Sequence, residues 1–158
     1  MRWVTREKAK VDRIACPWLI RKFIDKDAQF IFAPKDKVLE IAKNEGAIPF
    51  DVAGAELSHY FENGMEHVTF DALIKKYDLK DKPLLQLAKI VRGADARVTG
   101  PTDSAPESAG LEAAATGFRM IAPDDLENMT LQFPLYDALY SFCQLKVDEG
   151  QELENTIR

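Results

Sequence analysis

Val11-Asp12-Arg13-Ile14-Ala15-Cys16-Pro17-Trp18-Leu19-Ile20-Arg21-Lys22-Phe23-Ile24-Asp25 is the stretch on which the reading of the fold turns. Pro17 suits the first turn of a helix, where a missing N–H leaves nothing unpaired. After it, Leu19, Ile20, Phe23 and Ile24 recur at helical spacing, with Arg21 and Lys22 on the other face. Upstream, Arg2-Trp3-Val4-Thr5 alternates and is rich in strand-forming residues. Downstream, Gln29-Phe30-Ile31-Phe32-Ala33 reads as a second strand, and Pro34 ends it. The order strand, helix, strand places the segment 11–25 between two strands, where α/β folds open their ligand crevices.

Further outward, a helix is expected over 35–44 with Gly46 as its C-terminal cap. Residues 47–52 then read as a third strand, whose Pro49 favours a sheet edge or a strand start. Residues 53–66 read as a polar turn region, and the rest of the chain as helical. One helix opens at the capping residue Thr69, one at Asp81-Lys82-Pro83, one spans about 107–120, and a last one begins near Asp124. That last helix is expected to be disturbed at Pro134 and to run towards Leu145. The stretch 97–106 is the clearest loop. The expected fold is a single α+β (or small α/β) domain: three short strands with helices in the front half, and a helical second half.

The 158 residues are 46% hydrophobic and 30% charged, which excludes a disordered or collagen-like chain. Apolar runs fall far short of the ~20 residues of a membrane span. The charged N-terminal segment does not read as a secretory signal, and two cysteines form no disulfide framework, so a cytoplasmic location is expected. Residues 1–44 hold 11 Lys/Arg against 6 Asp/Glu, whereas residues 45–158 hold 10 against 20. The basic front invites an anion, but the acidic remainder argues against direct nucleic-acid binding.

Candidate chemistry gathers in two places. Arg13 and Arg21 present planar forks suited to an oxyanion, and a helix start beside them adds free N–H groups. Cys16 before a helix reads either as an activated catalytic thiol or as a small buried hydrophobe. His59 and His67, the only histidines, lie among the acidic residues Asp51, Glu56, Glu62 and Glu66, and Asp95 follows an apolar helix. Imidazole with carboxylate is a donor set for a divalent ion such as zinc, iron or manganese. Asp137, in an apolar stripe, is expected to face inward and to need a partner. The sequence has no GxGxxG, Walker loop, HExxH, GxSxG or CxxC.

The segment 3–6 with the block 10–25 resembles the opening of the chromate-resistance domain at the C-terminal end of ChrB-type proteins. Pro49-Phe50-Asp51-Val52, Glu56-Leu57-Ser58-His59, Thr69-Phe70-Asp71, Ile90-Val91-Arg92-Gly93-Ala94-Asp95, Ala109-Gly110-Leu111, and Asp124-Asp125 with Tyr136-Asp137-Ala138-Leu139-Tyr140 follow in the family's order. The resemblance implies a domain over residues 1–146 with a polar tail at 147–158. It also implies a part in chromate resistance, a stress response, as a binder of a metal or oxyanion that acts as sensor or regulator, with a protein partner. A metal- or thiol-dependent redox or transferase enzyme is the alternative. Family members often carry a cysteine just before the Thr/Ser-Phe pair; Val68 stands there, with His67 as the neighbouring candidate ligand.

Overall fold

The computed structural model describes residues 1–95 and 102–157. Strand β1 (Arg2–Arg6) lies at the centre of a parallel sheet, with β2 (Gln29–Ala33) on one side and the two-residue β3 (Ile48–Pro49) on the other. Trp3, Val4 and Thr5 are all buried, as a central parallel strand covered on both faces requires. Pro49 sits on the edge strand, where its missing N–H disrupts no ladder.

The two faces of the sheet support different layers. Trp3, Phe30 and Phe50 meet edge-on and join the main core, which the long helices close. Val4 and Ala33 on the opposite face pack on Val38 and Ala42 of α2 (Val38–Glu45). Gly46, at φ +64°, ends α2 in the left-handed conformation that favours glycine.

Helix α1 (Asp12–Leu19) begins at Asp12, five residues earlier than expected, and holds Pro17 in its interior. The missing N–H of Pro17 removes one bond from the helical ladder, and the chain widens into a π-helical turn over Ile20–Ile24. The Asp25 N–H closes that turn on the Ile20 carbonyl at 2.7 Å. Trp18 then packs among Phe23, Tyr136 and Tyr140, fixing α1 on the last helix.

The region 53–66 is more than a turn. β4 (Tyr60–Glu62) and β5 (Met65–His67) form an antiparallel hairpin around Asn63-Gly64. Both turn residues have positive φ, which is the two-residue geometry that suits a twisted hairpin. Next come α3 (Thr69–Lys76), α4 (Lys82–Ala94) and α5 (Ser108–Ile121). The loop read at 97–106 lies partly outside the described residues. Asp81 caps α4 by accepting the Leu84 N–H at 3.0 Å.

Helix α6 (Asp125–Ile157) is one continuous helix, about 50 Å long at 1.5 Å per residue. It carries on past Leu145 through the polar stretch 147–157. Pro134 does not break it, because Pro134 and Thr130, whose carbonyl it frees, both lie on the exposed side where water can serve. The architecture is α+β: a small parallel sheet, a separate hairpin and a helical second half. Among the described residues, no helix is long and apolar enough to cross a membrane.

Candidate metal centre

Asp12 is the first residue of α1 and almost wholly buried. Its carboxylate points across to the start of α3. Oδ2 accepts the Thr69 N–H at 2.9 Å, and Oδ1 accepts the Phe70 N–H at 3.1 Å. A carboxylate at a helix N-terminus satisfies orphan donors and meets the positive end of the helix dipole. Asp71 completes the cap by accepting the Val68 N–H at 3.0 Å. Asp12 therefore fixes the angle between α1 and α3 while remaining exposed to a third group, His59.

His59 precedes β4, and its Nε2 faces three carboxylates. Asp95 Oδ2 lies at 3.1 Å, Asp12 Oδ2 at 3.6 Å and Asp51 Oδ1 at 3.8 Å. On the other side of the ring, Nδ1 lies 3.9 Å from Glu66 Oε2. All four acids are buried. Asp95 caps the C-terminus of α4, Asp51 follows β3 with a positive φ, and Glu66 is the inward residue of β5. The Asn63-Gly64 turn thus sets the register that aims Glu66 at the imidazole.

Burial, and then the negative charge of Asp51, push the Asp12 carboxyl up to about 6. Buried acids this close to one another favour a cation among them. One oxygen of Glu66, Oε2, has no hydrogen-bond partner among the described residues. Asp12, His59 and Asp95 each offer a donor atom, and these lie within 4.8 Å of one another. A metal with bonds near ~2.1 Å sets neighbouring donors about 3.0–3.4 Å apart, close to the separations seen from His59 Nε2. One nitrogen and two oxygens suit zinc, iron or manganese and leave positions open for a further ligand. Glu66 would then accept a hydrogen bond from the Nδ1–H and orient the ring, as carboxylates behind metal-bound histidines do.

Above these acids opens a cleft of about 180 Å³, lined by Arg6, Lys10, Val11, Asp12, Arg13, Asp51, Asp95 and Arg119. Arg13 Nη1 donates to Asp51 Oδ2 at 3.3 Å, and Arg6 Nε donates to the Asp51 carbonyl at 2.9 Å. Thr69 Oγ1 donates to Asp51 Oδ1 at 2.7 Å.

Of the residues singled out from sequence, the structure brings Arg13, His59 and Asp95 to this one place. His67 lies apart: it stacks on Tyr60 at 4.8 Å and faces Asp71 at 3.6 Å. Arg21 is also elsewhere, donating to the Ala28 carbonyl and lying over Phe30. Cys16 is not at a helix start. It sits inside α1, fully buried, with its thiol donating to Asp12 Oδ1 at 3.3 Å. Burial, reinforced by the Asp12 charge, holds it well above the ordinary thiol range, the opposite of an activated nucleophile. Asp137 does not face inward; it is exposed and accepts the Trp18 Nε1–H at 2.8 Å. Of the acids that crowd the histidines in sequence, Asp51 and Glu66 face His59, whereas Asp12 was missed as a member of the centre. The signal for Asp12 was its place at the end of the β1–α1 connection; the signal for Glu66 was the Asn-Gly hairpin.

The fold and this centre define a small α+β domain with a buried carboxylate–imidazole cluster at the ends of its parallel strands. The chain belongs to the family described as ChrB, C-terminal domain, whose model matches residues 3–143. Protein ChrB of Cupriavidus metallidurans is 34% identical over 142 residues, which cover 88% of this chain and 40% of that protein. The chain therefore spans well under half the length of that relative. No solved structure matches.

Proposed function

We propose that this chain is a divalent-metal-binding domain that serves chromate resistance in the cytoplasm, holding its ion on Asp12, His59 and Asp95. An oxyanion such as chromate is the expected ligand of the cleft above the metal, and the domain acts as a sensor or regulator with a protein partner. The observation that carries the reading is the convergence of His59 Nε2 on Asp95 and Asp12, with all three donors within 4.8 Å. Family membership supports the chromate context through the resemblance of the 10–25 block. Zinc, iron and manganese are all compatible with the donors.

Titration of chelator-treated protein with each metal tests this directly. The expected result is one ion per chain, with His59→Ala weakening uptake by more than about 100-fold, beyond what loss of a supporting partner costs. Unchanged affinity in His59→Ala would refute the assignment. A second reading, a metal-dependent redox or transferase enzyme, draws on the positions that three protein ligands leave open. Metal-dependent turnover of a substrate would favour it. The thiol version of that enzyme has no support from the buried position of Cys16.

A further inference from the structure

Among the described residues, four cationic side chains from different elements line the cleft: Arg6 at the end of β1, Lys10 in the following loop, Arg13 on α1 and Arg119 on α5. They do not play the same part. Arg6 and Arg13 are committed to Asp51 and form the inner wall. Among the described residues, Lys10 pairs with the half-exposed acid Glu112 at 3.4 Å, and Arg119 makes no ion pair. Lys10 and Arg119 therefore supply positive charge at the mouth, while Asp12 and Asp95 supply negative charge at the floor.

In the metal-free protein an anion deep enough to meet the floor is repelled at short range by the buried carboxylates of Asp12 and Asp95, while Arg6 and Arg13 are already engaged by Asp51. A dication on Asp12, His59 and Asp95 reverses the sign of that encounter and offers open positions towards the cleft. We infer that the cleft binds a tetrahedral dianion only when the metal is in place, with Lys10 and Arg119 gripping its outer oxygens. The inference rests on the metal reading above and adds two residues and a condition to it. The coupling is reciprocal: a metal that admits the anion is itself held more tightly once the anion is bound. Arg119 is exposed, so its grip weakens as salt rises.

The test uses sulfate, a redox-inert tetrahedral dianion, titrated calorimetrically at low ionic strength into the whole chain, either loaded with manganese or treated with chelator. The loaded protein is expected to bind sulfate at least about tenfold more tightly, within the usual range of coupling between sites. Arg119→Ala and Lys10→Ala are each expected to weaken sulfate binding by about fivefold or more while leaving manganese affinity in sulfate-free buffer unchanged, and Arg119→Lys to recover part of the loss. Equal sulfate affinity with and without manganese would overturn the inference, as would wild-type sulfate binding in both alanine variants. Manganese uptake without any sulfate binding would defeat this inference alone. Failure of the wild type to take up manganese, zinc or iron in sulfate-free buffer would defeat the metal reading and this inference with it.

Discussion

The Asp12 carboxyl makes the metal-free protein sensitive to acid in an unusual direction. Burial, and then the charge of Asp51, raise it from 3.8 to about 6, so the folded state binds a proton more readily than the unfolded chain. A carboxyl shifted upward favours folding when protonated. Its contribution is complete below the unfolded value and is lost as pH rises through the folded value. Between about pH 7 and about pH 5, a shift of this size stabilises the fold by about 1 kcal/mol. Asp12→Asn removes the titration while retaining an acceptor for α3. The comparison is urea unfolding of chelator-treated wild type and Asp12→Asn at both pH values. Wild type should gain about 1 kcal/mol on acidification relative to the variant. With saturating metal the sign should invert, because the ion binds the ionised carboxylate and competes with protons. Parallel pH profiles for the two metal-free proteins would refute the reasoning.

Three further outcomes follow from the geometry. Glu66→Gln should lower metal affinity by about 10–100-fold with little loss of fold, since Glu66 faces the far nitrogen of His59; a metal titration unchanged from wild type would remove Glu66 from the centre. Cys16 and Cys143 should resist a thiol reagent in the folded protein, being buried with raised thiol pKa values; rapid labelling of Cys16 under native conditions would restore the nucleophile reading. Gly93→Ala should destabilise the protein by about 1–3 kcal/mol, because a Cβ there would press on Ser108 and Ser104 where α4 meets α5; an unchanged melting temperature would contradict this contact.

The parallel strands, most helices and the α+β class were legible because hydrophobic period and punctuation agree locally. Gly46 ends α2 as a glycine C-cap should, and Pro49 lies on a sheet edge. Pro17 misled because a first-turn position is its commonest helical use, whereas here tertiary packing of Trp18 holds it inside the helix at the expense of a widened turn. The hairpin was hidden by its polar exposed face, although Asn63-Gly64 is a strong hairpin signal. His59 and Asp95 were found because few residue types can do such chemistry. Asp12 was not legible as part of the centre, because its role, capping a helix 57 residues away, depends on how α1 and α3 pack. His67 shares the chemistry of His59 but not its place, since it stands opposite Tyr60 at the base of the hairpin and turns to Asp71.

The most direct test of the metal centre is anomalous diffraction from crystals of the chain grown with manganese or zinc. A single peak bonded to His59 Nε2 and to carboxylate oxygens of Asp12 and Asp95, with bond lengths near ~2.0–2.2 Å, is the expected result. A peak at His67 and Asp71, or an unmetallated His59 still hydrogen-bonded to Asp95 in the presence of the ion, would contradict it.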